Sequence, residues 1–405
     1  MLSDEIIDKL TEKIAENIQE TNTYILKQIA KNLSLFENLS ITEAQQLAQM
    51  LKYGGSYEKI IFKLQQLTGL NRNEINKIFH IVAQNNLEFA EKFYKYRGID
   101  YIPYKENKAL QRQIQAISNI ALKEYGNISK TTGLGIVLQD KDGNKQFTFL
   151  RKAYNELIDR AVLSVSQGKD TFTNEMYRTI RELGGSGLKV EYASGNTRRL
   201  DSAVRMNLKQ ALRDMSNDLQ IQFGKEFGAD GVEISAHANP APDHELLQGR
   251  QFDKENYEKL NNGDRAVSYD KVVIDADYKR RPISELNCYH YIFSIVLGVS
   301  EPIYNKEQLQ EMIDKNNDGF ELDGKKYTLY QGTQMQRKLE TKIRELKDIQ
   351  IMGVEAKQKE IVEKAQKQIT AYTQKYKELS ELSGLQTKMQ RMRVQGYRRR
   401  NVKRM

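Results

Sequence analysis

Tryptophan is absent, cysteine occurs once and proline only five times in 405 residues. A single thiol, Cys288, cannot close an internal disulfide, so a stapled extracellular mini-scaffold is excluded. Scarce proline leaves long tracts free for helix: Pro103 stands alone, while Pro240, Pro242, Pro282 and Pro302 share one stretch. Long hydrophobic runs are lacking as well. The longest spans residues 291–299, nine positions interrupted by Ser294, about half of what a membrane span needs. The opening Met1-Leu2-Ser3-Asp4-Glu5 carries acids where a secretory signal carries bases, so synthesis without export is expected.

What is present is polar but foldable. Apolar residues make up 39% of the chain and charged residues 29%, too rich in Leu, Ile and Tyr for general disorder, and the length allows roughly two to four domains. The net charge of +9 is uneven: residues 331–405 hold 19 Lys/Arg and 8 Asp/Glu, or +11, which leaves −2 for residues 1–330. The basic character belongs to the C-terminal end.

Periodicity divides the chain further. Ile7, Leu10, Ile14, Ile18, Ile25 and Ile29 recur at helical spacing. Thr42-Glu43-Ala44-Gln45 reads as a capping box opening a second helix, Gly54-Gly55 as its stop and Ser56 as the next cap. Ile60, Ile61, Leu64 and Leu67 give a third helix ended by Gly69, and Ile75, Ile78, Phe79 and Val82 a fourth. Such tandem helices could be a DNA-reading helix-turn-helix, but residues 41–85 hold five Lys/Arg against three Asp/Glu, too weak a phosphate footprint. A packed helical domain is the better reading.

Beyond residue 105 the pattern is mixed. Asp140-Lys141-Asp142-Gly143 between Ile136-Val137-Leu138 and Phe147-Thr148-Phe149 predicts a hairpin. Gly184-Gly185-Ser186-Gly187 lacks phosphate-loop spacing and reads as a flexible turn. Lys189-Val190-Glu191-Tyr192 reads as a strand, and Arg198-Arg199-Leu200-Asp201 as the approach to a helix through Val204, Leu208, Ala211, Leu212 and Met215. Those arginines face either an acidic partner or local counter-charges. Phe320-Glu321-Leu322, Asp323-Gly324 and Lys325 to Tyr330 predict a second hairpin with a type I′ turn. Met335, Leu339, Ile343 and Leu346, then Ile361, Ala365, Ile369, Tyr372, Tyr376 and Leu379, predict two helices broken at Gly353. Their spacing also fits a coiled-coil seam, but the register is too short and interrupted to name an oligomer, and a second copy of the chain stays only a candidate partner.

Four side chains could hold a metal: His237, His244, Cys288 and His290 lie within 54 residues. Imidazole nitrogen and thiolate sulfur suit tetrahedral zinc, and His-x6-His with Cys-x-His would tie two loops together. The spacing matches no standard finger, so ordinary hydrogen-bonded histidines are the competing reading. His244-Glu245-Leu246-Leu247-Gln248 begins like HExxH but ends in Gln, which argues against a zinc hydrolase. Cys288 with His290 imitates a nucleophile and base without an identifiable orienting group. Asp314-x-Asn316-x-Asp318-Gly319 starts like a calcium loop, yet Lys325 stands where the bidentate Glu belongs. At the C-terminal end Lys388, Arg391, Arg393, Arg398, Arg399, Arg400, Lys403 and Arg404 form a block without an acid, suited either to DNA phosphates or to plain solvation.

Several of these stretches together resemble the minor capsid proteins of tailed phages of Gram-positive hosts, the group called minor capsid protein 2, distantly similar to Mu F-like head morphogenesis proteins. The most specific are Ser235-Ala236-His237, Pro242-Asp243-His244, Gln248-Gly249-Arg250, Asn287-Cys288-Tyr289-His290 and Gly298-Val299-Ser300-Glu301-Pro302. Tyr192-Ala193-Ser194-Gly195, Val204-Arg205-Met206, Gly55 to Ile61 and Gln334 to Glu340 add to them. One departure is Lys279-Arg280-Arg281-Pro282-Ile283, where the family carries a glycine-rich, aromatic lead-in. The resemblance implies that the His, His, Cys, His set stays together, and it implies a non-enzymatic, low-copy virion protein near the portal vertex that aids head assembly and genome packaging or delivery. Its expected partners are the portal protein, major capsid or scaffold proteins, and double-stranded genomic DNA.

The expected fold is α-rich α+β: a helical docking domain over 1–110, a central α+β module with short hairpins over 111–330, a helical hairpin or coiled coil over 331–384, and a basic tail over 385–405. Structural zinc is the expected cofactor. The alternatives are a metal-dependent hydrolase or toxin-like transferase, and a non-viral DNA-binding protein.

Overall fold

The computed structural model describes residues 4–128, 133–140, 142–285 and 288–399. Lys141, Asn287, Arg400, Lys403 and Arg404 lie outside them, as does the side chain of Leu67.

Isoleucines 7, 14, 18, 25 and 29 line up on α1 (Asp4–Ser34) and are all buried. Helix α2 (Ile41–Tyr53) opens on a capping box, but the cap is Ser40 rather than Thr42. The Ser40 hydroxyl accepts from the Glu43 N–H, and the Glu43 carboxylate accepts from the Ser40 N–H at 2.8 Å. The reciprocal pair requires the acid three residues after the cap, which selects Ser40. Gly54 closes α2 as expected. Ser56 is the first residue of α3 and not its cap; Gly55, at φ 82°, stands before it.

The break expected at Gly69 does not occur, and α3 (Ser56–Arg97) runs 42 residues. Its buried stripe passes through Ile60, Leu64, Asn71, Ile75, Ile78, Phe79 and Val82, so the helical period continues across the glycine through a polar member. A mid-helix glycine costs about 1 kcal/mol, whereas each buried Ile, Leu or Phe contributes about 1.5–3 kcal/mol. Burial wins.

Helix α4 (Lys108–Ile128) follows, then the predicted hairpin of β1 (Leu134–Gln139) and β2 (Lys145–Phe149). Helices α5 (Leu150–Ser166) and α6 (Lys169–Ser186) lead to β3 (Lys189–Glu191) and β4 (Thr197–Arg199), completing an antiparallel sheet of order β2-β1-β3-β4. The glycine run at 184–187 is not a flexible turn. It forms the last helical turn of α6 with Gly187 as cap. Gly184 is where another helix crosses: a Cβ there would meet Ile349 Cγ1 at 2.5 Å. Helix α7 (Leu200–Glu226) runs through the centre, with fifteen of its residues buried.

A smaller unit follows, built from β5 (Gly231–Ile234), β6 (Gln251–Asp253), α8 (Lys254–Asn262), β7 (Ala266–Val267), β8 (Val273–Ile274) and β9 (Ile292–Ile295). Its three-stranded antiparallel sheet has the order β6-β5-β9, and β7 pairs with β8. Val232, Ile234, Leu247, Phe252, Leu260 and Ile292 form a core of its own.

The C-terminal part holds α9 (Lys306–Asp318), β10 (Phe320–Leu322), β11 (Lys325–Tyr327), α10 (Leu329–Glu355) and α11 (Lys359–Ser383). The hairpin turn is type I′ as predicted, with positive φ at Asp323 and Gly324. Thr328 caps α10 with a box to Gln331, so the helix starts two residues earlier than Gln331. Gly353 does not break it; the glycine lets Ile361 and Val362 of α11 approach closely, and the turn comes at 356–358. The main core draws side chains from Ile7 to Ile361, taking from 1–110, 111–330 and 331–384 alike. The chain is therefore α-rich α+β, as its sequence predicts. Among the described residues, no helix is long and apolar enough to cross a membrane.

Candidate metal centre

The β5–β9 pair creates the site at one end of its sheet. Ile234 lies opposite Ile292, and past them the Ser235 N–H donates to the Tyr291 carbonyl at 2.8 Å. The strand ends thereby bring His237 and His290 together, with ring centres 4.5 Å apart. Between β5 and β6 the chain loops out through Pro240 and Pro242 and returns when the Gly249 N–H bonds the Ile234 carbonyl at 2.9 Å. Buried Leu247 anchors this loop in the small core, which fixes His244 beneath it. Cys288 arrives on a tight turn, its N–H donating to the Glu285 carbonyl at 2.8 Å.

Three of the four expected ligands converge. Cys288 Sγ lies 3.5 Å from His244 Nδ1 and 3.5 Å from His290 Nδ1, and all three residues are 1% exposed. The other nitrogens are held from behind. His244 Nε2 is 2.9 Å from the Arg281 carbonyl, an obligate acceptor, so Nε2 carries a proton and Nδ1 is the nitrogen turned towards the sulfur. His290 Nε2 lies 3.4 Å from Gln248 Oε1, which also accepts the His237 N–H at 3.1 Å. His237 is not brought into the set. It stacks on His290 with its rings tilted by 36°, and its Nδ1 contacts the Ala238 carbonyl at 3.1 Å.

Electrostatics favour the metal-binding form at Cys288 and His290 and the charged form at His244. Burial pushes the Cys288 thiol up, but the hydrogen bond and charge of His244 outweigh it and hold the thiol below its ordinary value. The Ser284 N–H, 3.4 Å from the sulfur, works in the same direction. Burial pushes His244 down, yet Cys288, the Arg281 carbonyl and Asp243 together raise it. His290 is driven well below its usual value by burial and by the nearby His237, His244, Arg213 and Arg281, so it is neutral. Thiolate and neutral imidazole are the forms that ligate, so a metal bound here displaces the Nδ1 proton of His244.

The centre opens on a cleft of about 1670 Å³ between the first turns of α1, the loops around His237 and Cys288, α10 and residues 384–393. Nine Lys/Arg and five Asp/Glu line it, so its field favours anions. Two partners were not foreseen. Arg281 forks onto Asp243 at 2.6 and 3.1 Å while its carbonyl orients His244, and Gln248 bridges two histidines. The sequence signal for Gln248 was its place in the family-like stretch; Arg281 stood in the departure and gave none.

The basic tail is placed as far as residue 399. Lys388 is half-buried, its N–H on the Tyr376 hydroxyl at 2.9 Å. Arg391 pairs with Asp8 at 3.2 Å, and Lys209 pairs with the same carboxylate. Met392 is buried, its carbonyl held by Lys347 Nζ at 2.6 Å. Arg393, Arg398 and Arg399 are exposed.

The decisive comparison is a family model described as Phage minor capsid protein 2, which matches residues 2–381. The chain belongs to this family. No curated protein and no solved structure matches it. As a minor capsid protein it is a structural component of a phage particle, with other virion proteins as partners. Met1 and residues 382–405 of this minor capsid chain lie outside the match.

Proposed function

We propose that the protein is a low-copy component of the head at the portal vertex, which aids head assembly and genome packaging or delivery through its surfaces and catalyses no reaction. The observation that carries this reading is the family match across nearly the whole folded chain, from the first turn of α1 to the end of α11. Portal protein, major capsid or scaffold proteins and double-stranded DNA are its partners in this reading. The basic excess of the cleft and the exposed Arg393, Arg398 and Arg399 offer phosphate contacts that need no base recognition.

The test is a symmetry-relaxed reconstruction of intact particles, with and without the protein. Density at a single vertex that vanishes on deletion, in shells that still close, supports the proposal. Density at every vertex, or a protein missing from purified particles, overturns it.

A further inference from the structure

We propose that Cys288, His244 and His290 bind one zinc ion, with a fourth coordination position open to the basic cleft. The inference stands independently of the portal reading, because it rests on side-chain geometry alone. A zinc ion binds thiolate at about 2.3 Å and imidazole at about 2.0–2.1 Å, so a tetrahedral edge between sulfur and nitrogen is about 3.6 Å long. Both Sγ···Nδ1 distances are 3.5 Å. Two imidazoles on adjacent tetrahedral corners hold their ring centres about 5 Å apart. Those of His244 and His290 are 5.2 Å apart and steeply inclined at 72°.

The second layer fits as well, since a metal-bound imidazole ordinarily donates its other N–H to a carbonyl or similar acceptor. Here the Arg281 carbonyl and Gln248 Oε1 fill those places. Gln248 Nε2 is buried without a hydrogen-bond partner, the strain expected of an amide held in place for its oxygen. Without a metal, the three buried groups are held to one another only through the single sulfur of Cys288. The donor set is soft nitrogen and sulfur, which selects zinc over calcium or magnesium.

His237 is excluded from the fourth position by its own packing. A ring stacked at 4.5 Å and 36° on His290 is closer and flatter than a co-ligand on a neighbouring corner. The cleft is therefore the side from which the fourth ligand comes, a water or a small exchangeable anion. Zinc here ties the loop over 235–250 to residues 281–291, two segments whose shared core is small.

Elemental analysis of full-length protein purified without chelator should give about one zinc per chain. After stripping, added cobalt should produce a thiolate-to-metal charge-transfer band, which Cys288→Ala abolishes and His237→Ala keeps. Gln248→Leu should weaken affinity about 10- to 100-fold while the band survives at saturation. Imidazole added to the wild-type cobalt protein should shift its visible spectrum, because a position is open. Absence of the band on cobalt titration of the stripped wild type overturns the site. Loss of metal in His237→Ala, or a visible spectrum indifferent to imidazole, overturns the open position.

Discussion

Asp201 is 4% exposed and sits between two guanidinium groups, Arg344 Nη1 at 3.2 Å and Arg199 Nε at 3.4 Å. Burial pushes its carboxyl up, but the charges of Arg344, Arg199 and Arg205 outweigh that and hold it far below the usual range. Asp348 also meets Arg199, at 2.8 Å, yet burial dominates and its carboxyl stays above the ordinary value. The two acids therefore differ in worth. Asp201→Asn should destabilise the chain by about 3–5 kcal/mol, since it strands the buried Arg344 and leaves Arg199 with Asp348 alone. Asp348→Asn should cost less than about 2 kcal/mol, because its Oδ1 already lacks a partner. Urea unfolding of both variants measures the difference, and equal losses would refute it. The Asp201 contribution is complete above the unfolded carboxyl value of about 3.9 and fades as pH falls through the lower folded value. This residue pair also shows what a sequence hides. Four histidines and one cysteine are rare enough for their clustering to be noticed, and three of the four expected ligands do converge. Arg199, by contrast, read as a cation facing either an outside partner or a local counter-charge, while Asp348, one of its two counter-ions, lies 149 positions away.

At the scale of elements, the crossing of α6 and α10 depends on a missing side chain. An alanine at 184 would set its Cβ 2.8 Å from the Ile349 backbone nitrogen, so Gly184→Ala should lower stability by about 1–3 kcal/mol. Gly185, in the same helical turn, has open space around it, and Gly185→Ala should gain up to about 1 kcal/mol. Opposite shifts of melting temperature in the two variants are expected; shifts of the same sign would mean that the helices do not pack there. Local chemistry explains which elements were legible. Asp323-Gly324 needs only its own two residues to set a hairpin, and the start of α2 was legible to within two residues, its cap being Ser40 and not Thr42. Glycines mislead because their meaning depends on what passes nearby: Gly69 and Gly353 read as stops but lie within helices, and Gly184 read as flexibility but marks a close helix crossing.

For the whole molecule, the acidic clasp at Asp8 decides how much of the basic tail is free. Burial pushes Asp8 up, yet Lys209, Arg391 and Lys388 together keep it below its ordinary value, so the clasp holds above about pH 3.9 and opens as pH falls through the lower folded value. Asp8→Asn should release the segment at neutral pH. Limited trypsin digestion should then cut after Lys388 and Arg391 faster than in the wild type, and unchanged cutting would argue that Met392 alone anchors it. Arg398 and Arg399 stand outside the clasp. Replacing both by Ser should lower the magnitude of the salt slope of DNA binding by about 0.9 for every phosphate that is no longer neutralised. An unchanged slope would mean that these two arginines touch no phosphate. A sequence reading finds eight cations without an acid, but not that an acid near the other end of the chain engages one of them directly.

The clasp and the seat of α1 against α7 and α10 also bear on how the protein is made. Asn22 reaches Asp348 at 3.3 Å, so the first long helix emerges from the ribosome more than 300 residues before its last neighbour. At about 5–20 residues per second that interval is on the order of 15–60 s. For that time Ile7, Ile14 and Ile18 can meet only part of their final surroundings, so nascent chains halted before residue 329 should recruit holdase chaperones, and chains released after residue 383 should shed them.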